Sequence, residues 1–482
     1  MRKPIYIITL FLSIQAFAQR NEPVEKMNVL FIITDDLNMT NLSFYGAGVA
    51  NTPNLDQLAE SGTVFERAYC QVPVCNPSRA SIMTGKTSQS LRIWNNEPHF
   101  RGMYPKIITL PQRFKSNGYY TAGIGKIYHN WAQSIQGDPK SWSAPELYHY
   151  APHYRDWYVP GRPYEIHNDL SKGPSVQKAD VPDEAYLDGR IANEVVKRLS
   201  EIREVPFFLA VGFWKPHMPY NAPKKYWDLY DPKDLPAIRY KDKVEGVPEI
   251  AYINSPEAAS YTDVKKGESI PEAKRNELRH GYLAAISYLD AQIGKILREL
   301  ERLGLADNTI IVFTSDHGYH AGEHGQFGKW TNFEVGTRVP LIIKIPNVQN
   351  RRSNSLAGLV DLYPTLLELC GLSPSHEVDG NSLVPTFEHT NAQVNDLIVS
   401  QIARPAGAVS NREVLGTSLR DENYRYNVWV DESNGEIIAE ELYDLSTDFL
   451  KVQNVINDKK YKSAKKMLSQ KAQEILSKTN YK

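Results

Sequence analysis

Short runs of aliphatic and β-branched residues that end in polar side chains recur along the chain. They are typical of buried strands, which are apolar on both faces. These runs cover residues 28–34, 119–124, 206–212, 309–315 and 339–345. Longer stretches with helical spacing alternate with them, at residues 183–203, 271–303 and 361–369. The alternation predicts an α/β fold in which helices flank a mostly parallel central sheet.

Residues 141–169 interrupt this alternation, because they show neither a strand period nor a helix period. The segment is rich in aromatic residues, namely Trp142, Tyr148, Tyr150, Tyr154, Trp157, Tyr158 and Tyr164. We therefore expect a loop insertion that either packs against a ligand or covers the core.

The chain changes character after a polar stretch at residues 388–395. Strand-like runs at residues 414–419, 424–430 and 437–445 precede a Lys-rich amphipathic stretch at 459–477. This pattern predicts a small antiparallel sheet with a covering helix. We predict a large catalytic domain over residues 24–388 and a C-terminal α+β subdomain over residues 389–482.

The N-terminus has the three-part pattern of a secretory signal peptide. Two cations, Arg2 and Lys3, precede an apolar run at residues 4–14 and the small-residue site Ala16-Phe17-Ala18. The apolar run is too short to span a bilayer comfortably. We expect a signal peptide over residues 1–18, cleavage after about Ala18, and a periplasmic or secreted protein without stable membrane insertion.

Charge and cysteine content narrow the function classes. The 482 residues contain 55 Lys and Arg against 56 Asp and Glu, a net charge of -1, so no overall field favours nucleic acid or a membrane surface. An anionic substrate must be bound by local cations. Three cysteines are too few for a disulfide framework, and the apolar surroundings of Cys70 and Cys370 predict two buried thiols.

The third cysteine, Cys75, opens the strongest local motif of the chain. The segment CNPSRASIMTG at residues 75–85 fits the pattern C-x-P-S-R-x-x-x-x-T-G. A thiol near Arg79 and a helix start, which we place at Ser78, would have its anionic form favoured. Taken alone, however, a buried structural cysteine before a Pro-Ser helix cap is the better interpretation.

A second motif, GYYTAGIGKIYH at residues 118–129, changes that interpretation. With both motifs the sequence resembles the type I sulfatase family, whose maturation enzyme reads C-x-P-x-R and oxidises the cysteine to formylglycine (3-oxoalanine). The strings KPHMP at residues 215–219 and DHGYHAGEHG at 316–325 are most similar to the iduronate-2-sulfatase branch. The resemblance implies an alkaline-phosphatase-like fold and hydrolysis of sulfate esters.

Two acidic pairs supply a candidate metal site. Asp35-Asp36 and Asp316-His317 each follow a predicted strand, so both pairs should meet at one edge of the sheet. Either pair alone is more often a cap or a turn, but three carboxylates suit a hard divalent cation. The resemblance implies one Ca²⁺ held by Asp35, Asp36, Asp316, His317 and the oxygen of the modified Cys75, with histidine an uncommon calcium ligand.

Fixed cations are needed to neutralise the sulfate group before a nucleophile approaches the sulfur. Taken singly, Lys126, His129, His217 and Lys329 are each more often structural, yet their order and context match sulfatase positions. The resemblance implies that catalysis rests on Cys75, Arg79, Lys126, His129, His217 and Lys329. It further implies that the substrate is bound by Lys126, His217, Lys329 and Lys215.

The resemblance also implies a mechanism. A hydroxyl of hydrated formylglycine at position 75 attacks sulfur, with Asp316 as the base. His217 and Lys329 protonate or neutralise the leaving sugar oxygen. His129 then removes a proton from the second hydroxyl, so that sulfate leaves by elimination.

The substrate class follows from the branch resemblance, which implies a 2-O-sulfated uronic acid, saturated or unsaturated, at the non-reducing end of a glycosaminoglycan fragment. The sulfated oligosaccharide and the maturation enzyme are then the expected partners. A uronate carboxylate calls for one more cation, and Lys215, Arg92 and Arg155 are the candidates, in that order.

Three alternatives remain open. The chain could be a sulfatase of another sulfated glycan. It could be a phosphatase or phosphodiesterase of the same superfamily, although those enzymes usually use Ser or Thr with two zinc ions. It could also be a glycan-binding protein whose catalytic site has decayed.

Overall fold

The structure is a computed structural model. It describes residues 26–46, 48–130, 133–150, 156, 158, 173–253, 257–389, 391–406, 413–446, 448, 450 and 452–478. The signal peptide expected at residues 1–18, the candidate Arg155 and most of the predicted insertion after residue 150 lie outside the described residues.

Within the described residues, sixteen strands are present. They are β1 (Asn28–Asp35), β2 (Thr63–Tyr69), β3 (Tyr120–Gly125), β4 (Val176–Ala179), β5 (Phe207–Pro216), β6 (Tyr220–Pro223), β7 (Thr309–Ser315), β8 (His320–Ala321), β9 (Phe327–Gly328), β10 (Arg338–Val339), β11 (Leu341–Lys344), β12 (Arg351–Gly358), β13 (Ile398–Arg404), β14 (Val414–Arg420), β15 (Tyr424–Asp431) and β16 (Ile437–Asp444).

The same residues form twelve α-helices. They are α1 (Pro53–Ser61), α2 (Cys75–Thr84), α3 (Ser88–Leu91), α4 (Phe100–Met103), α5 (Leu110–Lys115), α6 (Leu187–Ile202), α7 (Lys224–Trp227), α8 (Glu272–Arg302), α9 (Glu334–Thr337), α10 (Leu362–Leu369), α11 (Val384–Glu388) and α12 (Lys462–Ser477).

Eight strands form the central sheet, and most of its pairs are parallel. β1 pairs in parallel with β5 on one side and β7 on the other, and β3 extends the sheet beyond β5. β11 is antiparallel to both β7 and β2, while β12 pairs in parallel with β2 at the far edge. The predicted α/β fold with a mostly parallel sheet is confirmed.

The central strands are apolar throughout because helices cover both faces of the sheet. Along β1, Leu30 and Ile32 pack into one core with residues of α6 and α8. Phe31 and Ile33 point the other way, into a second core with residues of α2, α5 and α10. Successive side chains alternate between faces in a strand, so β1 contributes to both cores.

Two strands of the central sheet were not predicted from the sequence, and one helix and one strand have bounds that differ from the predicted ones. β2 reads TVFERAY and β12 reads RRSNSLAG, so neither contains an uninterrupted apolar run. Helix α2 begins at Cys75 and not at Ser78, which corrects the predicted helix start by one turn. β5 extends beyond the predicted end at residue 212 to Pro216, and this extension carries the chain directly to His217.

The C-terminal region is an antiparallel sheet in the order β13-β14-β15-β16, as predicted except for the additional strand β13. Helix α12 covers it by packing Leu468 and Ala472 against Val428 and Leu442. β13 also joins the large domain, since Ser400 Oγ donates to the carbonyl of Cys70 at 2.6 Å. The domain boundary near residue 388 remains a prediction.

The described part of the insertion and the free thiols agree with their simpler interpretations, except that Cys370 is only half-buried. In the described part of the insertion, Trp142 is buried against the β3 residue Gly123, so this ring covers the core. Cys70 is buried, Cys370 is half-buried, and neither forms a disulfide. Among the described residues, no helix combines the length and the apolar character that crossing a membrane requires.

Candidate active site

The carboxyl ends of neighbouring parallel strands bring the predicted site residues together. Asp35 ends β1, Asp316 and His317 follow β7, and His217 follows β5. Helix α2 places Cys75 at its first turn, facing the same edge. All five side chains are buried. This position is the one at which open α/β sheets bind ligands.

Two overlapping groups of side chains could hold a metal ion. Donor atoms of Asp35, Cys75, Asp316 and His317 lie within 4.8 Å of one another, as do those of Asp35, Asp36 and His217. The residues fit a hard cation, since three buried carboxylates converge at this edge of the sheet. The structure therefore brings together all five positions that the sequence analysis assigned to the metal.

The Cys75 side chain contacts one carboxylate, one imidazole and one ammonium group. Its Sγ lies 3.4 Å from Asp35 Oδ1, 3.3 Å from His317 Nε2 and 3.7 Å from Lys329 Nζ. Burial, and then the Asp35 carboxylate, raise the pKa of the thiol well above its usual value. The expectation that the anionic thiol is favoured is therefore wrong, because burial and a carboxylate outweigh the nearby cations.

Arg79 is fully buried, and its guanidinium ties the strand ends together. Its Nε lies 2.8 Å from Asp316 Oδ2, and its Nη2 donates to the carbonyl of Thr34 at 3.1 Å. A further bond runs from Nη1 to the carbonyl of Lys126. These contacts hold β1, β3 and the Asp316 carboxylate in one arrangement.

Lys126 follows β3 and is paired with the metal-site carboxylate Asp35. Its Nζ lies 2.5 Å from Asp35 Oδ2 and 5.0 Å from the centre of the Trp214 ring. Burial alone would raise the pKa of Asp35, but Lys126, His217 and Arg79 hold that pKa well below its usual range. Asp35 is accordingly a charged carboxylate at neutral pH, as a cation ligand must be.

Lys329 and His217 form the opposite side of the site around Asp36. Lys329 Nζ lies 3.0 Å from Asp36 Oδ1, and His217 Nε2 lies 3.7 Å from Asp36 Oδ2. Burial raises the pKa of Asp36 despite these neighbours. Burial opposes the charge of Lys329, yet Asp36, Cys75 and Glu257 raise its pKa well above the usual value, so that the ammonium is retained.

His129 differs from these groups because it is buried and one of its ring nitrogens lacks a hydrogen-bond partner among the described residues. Its Nδ1 finds no hydrogen-bond partner among the described residues. Burial, and then the Lys126 ammonium, hold the pKa of His129 well below its ordinary value. The ring is therefore neutral at physiological pH and can accept a proton.

The additional cations proposed for a uronate carboxylate are placed differently. Lys215 is buried, and its Nζ donates to the carbonyl of Pro219 at 2.7 Å, within the loop that carries His217. Arg92 is exposed at the end of α3. The substrate-binding assignment of Lys215 stays a prediction, and its observed contacts support the loop.

Two acidic residues of the site were not singled out from the sequence. Asp188 accepts hydrogen bonds from the backbone amides of Trp214 and Lys215 at 3.0 and 2.9 Å, which anchors the end of β5. Glu257 lies 3.3 Å from His217 Nε2 and 3.5 Å from Lys329 Nζ. Neither residue belongs to a recognisable motif, so no sequence signal marked them.

Comparison with known families agrees with this geometry. Residues 27–372 match the family model described as Sulfatase, and residues 322–478 match the model described as N-sulphoglucosamine sulphohydrolase, C-terminal. Iduronate 2-sulfatase of Mus musculus is 32% identical, and the match covers 93% of this chain and 94% of the relative.

Solved structures share the fold at lower identity. One is an enzyme in complex with its substrate D-glucosamine-2-N,6-O-disulfate, with a TM-score of 0.76, 23% identity and coverage of 94% of this chain and 98% of the other. Phosphonate monoester hydrolase of Agrobacterium radiobacter gives a TM-score of 0.75, 23% identity and coverage of 94% and 96%.

These matches establish the class of protein. The chain belongs to the sulfatase family. It is a sulfuric ester hydrolase with the alkaline-phosphatase-like fold.

Proposed function

We propose that the protein is a formylglycine- and calcium-dependent sulfatase that removes the 2-O-sulfate from a terminal uronic acid of glycosaminoglycan fragments. The observation that carries the proposal is the position of Cys75. This residue of the C-x-P-S-R motif lies within contact distance of Asp35, His317 and Lys329. A nucleophile made at this position would therefore lie between a carboxylate metal site and a fixed cation.

Burial raises the pKa of the unmodified Cys75 thiol, so that the thiol stays neutral. A buried neutral thiol is a poor nucleophile. Formylglycine, once formed by the maturation enzyme, supplies in its hydrated form a hydroxyl nucleophile and a second hydroxyl on the same carbon.

The donor set supports calcium as the metal. Asp35, Asp36, Asp316 and His317 would hold the ion, together with the oxygen at position 75. Calcium, when bound, supplies positive charge that polarises the oxygens around it. One ion, in place of the two zinc ions usual for the phosphatase alternative, is proposed from the resemblance to the sulfatase family.

The remaining side chains divide the proton and charge transfers between them. Lys126 and Lys329 are retained as ammonium groups and neutralise the sulfate oxygens. Asp316 is the proposed base for the attacking hydroxyl, and Arg79 holds its carboxylate at 2.8 Å. His217 faces the leaving oxygen together with Lys329, and neutral His129 takes the proton of the second hydroxyl.

The substrate proposal rests on similarity. The relative that is 32% identical over 93% of this chain is named iduronate 2-sulfatase. A sulfatase of another sulfated glycan is the alternative, as the solved structure bound to D-glucosamine-2-N,6-O-disulfate illustrates for another enzyme. The complete set of buried site residues speaks against a decayed glycan-binding protein. Export to the periplasm or medium is proposed from the N-terminal pattern alone.

Two measurements test the proposal. A mass spectrum of the peptide that contains position 75, taken from protein made in its native host, should show formylglycine. Intact cysteine throughout an active preparation would exclude the nucleophile.

A panel of sulfated disaccharides that differ only in sulfate position tests the substrate. The matured enzyme should prefer a terminal uronic acid 2-O-sulfate. Preference for a 6-O-sulfate or an N-sulfate would overturn the substrate proposal and leave the sulfatase class intact.

A further inference from the structure

Glu257 is the most accessible acidic side chain of the candidate site. Its side chain is 16% exposed, whereas those of His217 and Lys329 are 3% and 4% exposed. Asp35, Asp36 and Asp316 are at most 1% exposed. Glu257 therefore lies nearer to solvent than His217, Lys329 and the metal-site carboxylates.

The contacts of Glu257 place it beside the two side chains that the proposed function assigns to the leaving oxygen. Its Oε1 lies 3.3 Å from His217 Nε2, and its Oε2 lies 3.5 Å from Lys329 Nζ. These are the two side chains that the proposed function assigns to the ester oxygen. A group attached to the neighbouring carbon of the sugar would come within reach of the Glu257 carboxylate.

A carboxylate at this place opposes the binding of an anionic sulfate unless it makes a favourable contact with another part of the substrate. Glu257 belongs to neither group of residues that could hold the metal. An ionised carboxylate only accepts hydrogen bonds, and each oxygen accepts more than one. The hydroxyls of a sugar are the donors that such an acceptor would bind.

We propose that Glu257 is a specificity-determining residue that accepts a hydrogen bond from the hydroxyl on the carbon next to the sulfated carbon. This assignment rests on the proposed function, since it requires a sugar sulfate whose ester oxygen faces His217 and Lys329. The assignment of Glu257 also predicts a substrate preference that the proposed function does not contain. Glu257 selects a free vicinal hydroxyl and disfavours a second sulfate or a carboxylate at that position, because like charges repel.

The test is a cycle of two proteins and two substrates. The proteins are matured wild type and Glu257→Ala, which removes the acceptor. The substrates are the sugar sulfate that wild type cleaves fastest, as its methyl glycoside, and the analogue with hydrogen in place of the vicinal hydroxyl. Glu268→Ala serves as the matched control, because Glu268 is an exposed carboxylate outside the site.

A hydrogen bond to a charged group predicts a loss of about tenfold or more in kcat/KM when either partner is removed. Wild type should lose that factor on the deoxy analogue, and Glu257→Ala should lose it on the hydroxylated substrate. The variant should then show no further loss on the deoxy analogue. Glu268→Ala should behave as wild type on both substrates.

Three outcomes would overturn the assignment. The variant could lose the same factor on both substrates, which would indicate a general effect on the site. Wild type alone could cleave both substrates equally, a result that does not depend on the folding of any variant. The fastest substrate could also lack a vicinal hydroxyl.

The proposed function is judged separately, by turnover of 4-nitrophenyl sulfate by matured wild type. If wild type cleaves neither this ester nor any sugar sulfate, the proposed function and the assignment of Glu257 both fail. If it cleaves sulfate esters but the cycle shows no coupling, only the assignment fails.

Discussion

Among the described residues, two of the buried clusters of charge differ in how completely each charge is compensated. The interface cluster lies between the large domain and the C-terminal sheet, and consists of Glu334, Arg338, Arg420, Arg425 and Tyr69. Arg425 and Arg420 lie 2.6 and 3.1 Å from Glu334 Oε1, and Tyr69 donates to Oε2 at 3.2 Å. The arginines lower the pKa of Glu334 to about 2, against the effect of burial.

The active-site cluster, made of the metal-site and cationic residues around Cys75, is compensated only in part, since Lys126, His217 and Arg79 lower the pKa of Asp35 but other groups remain unfavourable. Burial raises the pKa of Asp36 although Lys329 is in contact with it, and Nδ1 of His129 has no partner among the described residues. Burial of charge is thus common to both clusters. The active-site cluster differs in two respects: burial raises the pKa of one of its carboxyl groups, and one of its histidine nitrogens has no hydrogen-bond partner in the described part of the chain. Both features are expected of a cluster that binds a ligand.

The largest expected effect comes from removing the nucleophile. Cys75→Ala should lower kcat on any sulfate ester by at least about 10⁴-fold, because loss of a nucleophile removes the chemical step itself. The melting temperature should change little. Assays on protein purified in parallel with Cys370→Ala provide the matched control, since Cys370 lies far from the site in a half-buried position. Wild-type activity in Cys75→Ala would refute the mechanism.

Removal of the metal should have the next largest effect on the active-site cluster. Chelation, or Asp316→Asn, should lower kcat/KM by about 10³-fold, since a bound cation stabilises several kcal/mol of developing charge. Calcium should restore the chelated enzyme better than zinc, given the carboxylate ligands. A metal-free preparation, verified by elemental analysis, that keeps its full rate would show that these residues hold no catalytic ion.

Glu334→Gln tests whether the compensated charges of the interface cluster stabilise the fold. Loss of the carboxylate leaves three buried arginines facing one another, and should lower the free energy of unfolding by about 3–5 kcal/mol. Urea denaturation measures this change, and the activity of the folded fraction should be kept. Asp36→Asn in metal-free protein should destabilise less, because the buried Asp36 carboxylate is itself unfavourable. Equal losses in the two variants would remove the distinction between the clusters.

The smallest expected effect is a difference in pH dependence. The pKa of Glu334 is about 2 in the folded protein, below its ordinary value of 4.5, so its contribution to stability is complete above pH 4.5. The contribution is lost as the pH falls towards 2, and amounts to about 3 kcal/mol. Urea midpoints measured from pH 6 to pH 2.5 should therefore fall more steeply for wild type than for Glu334→Gln. Parallel profiles would contradict the assignment.

The sequence by itself determined the central architecture and most of the site. The strands at residues 28–34, 206–212 and 309–315 are buried on both faces, so their apolar runs are visible without a structure. The motifs around Cys75 and Lys126 predicted residues that the structure brings to one edge of the sheet. The sequence sufficed to predict those strands and site residues that can be recognised within a single segment of the chain.

Only the tertiary structure decided the features that depend on contacts between distant segments. Edge strand β12 has no apolar run, and Glu257 reaches Lys329 only because the loop before α8 packs against the segment around β9. The pKa of Cys75 rises where local sequence predicted a fall, since burial and Asp35 come from other elements. Desolvation and long-range Coulomb interactions are properties of the assembled site, and no local motif contains them.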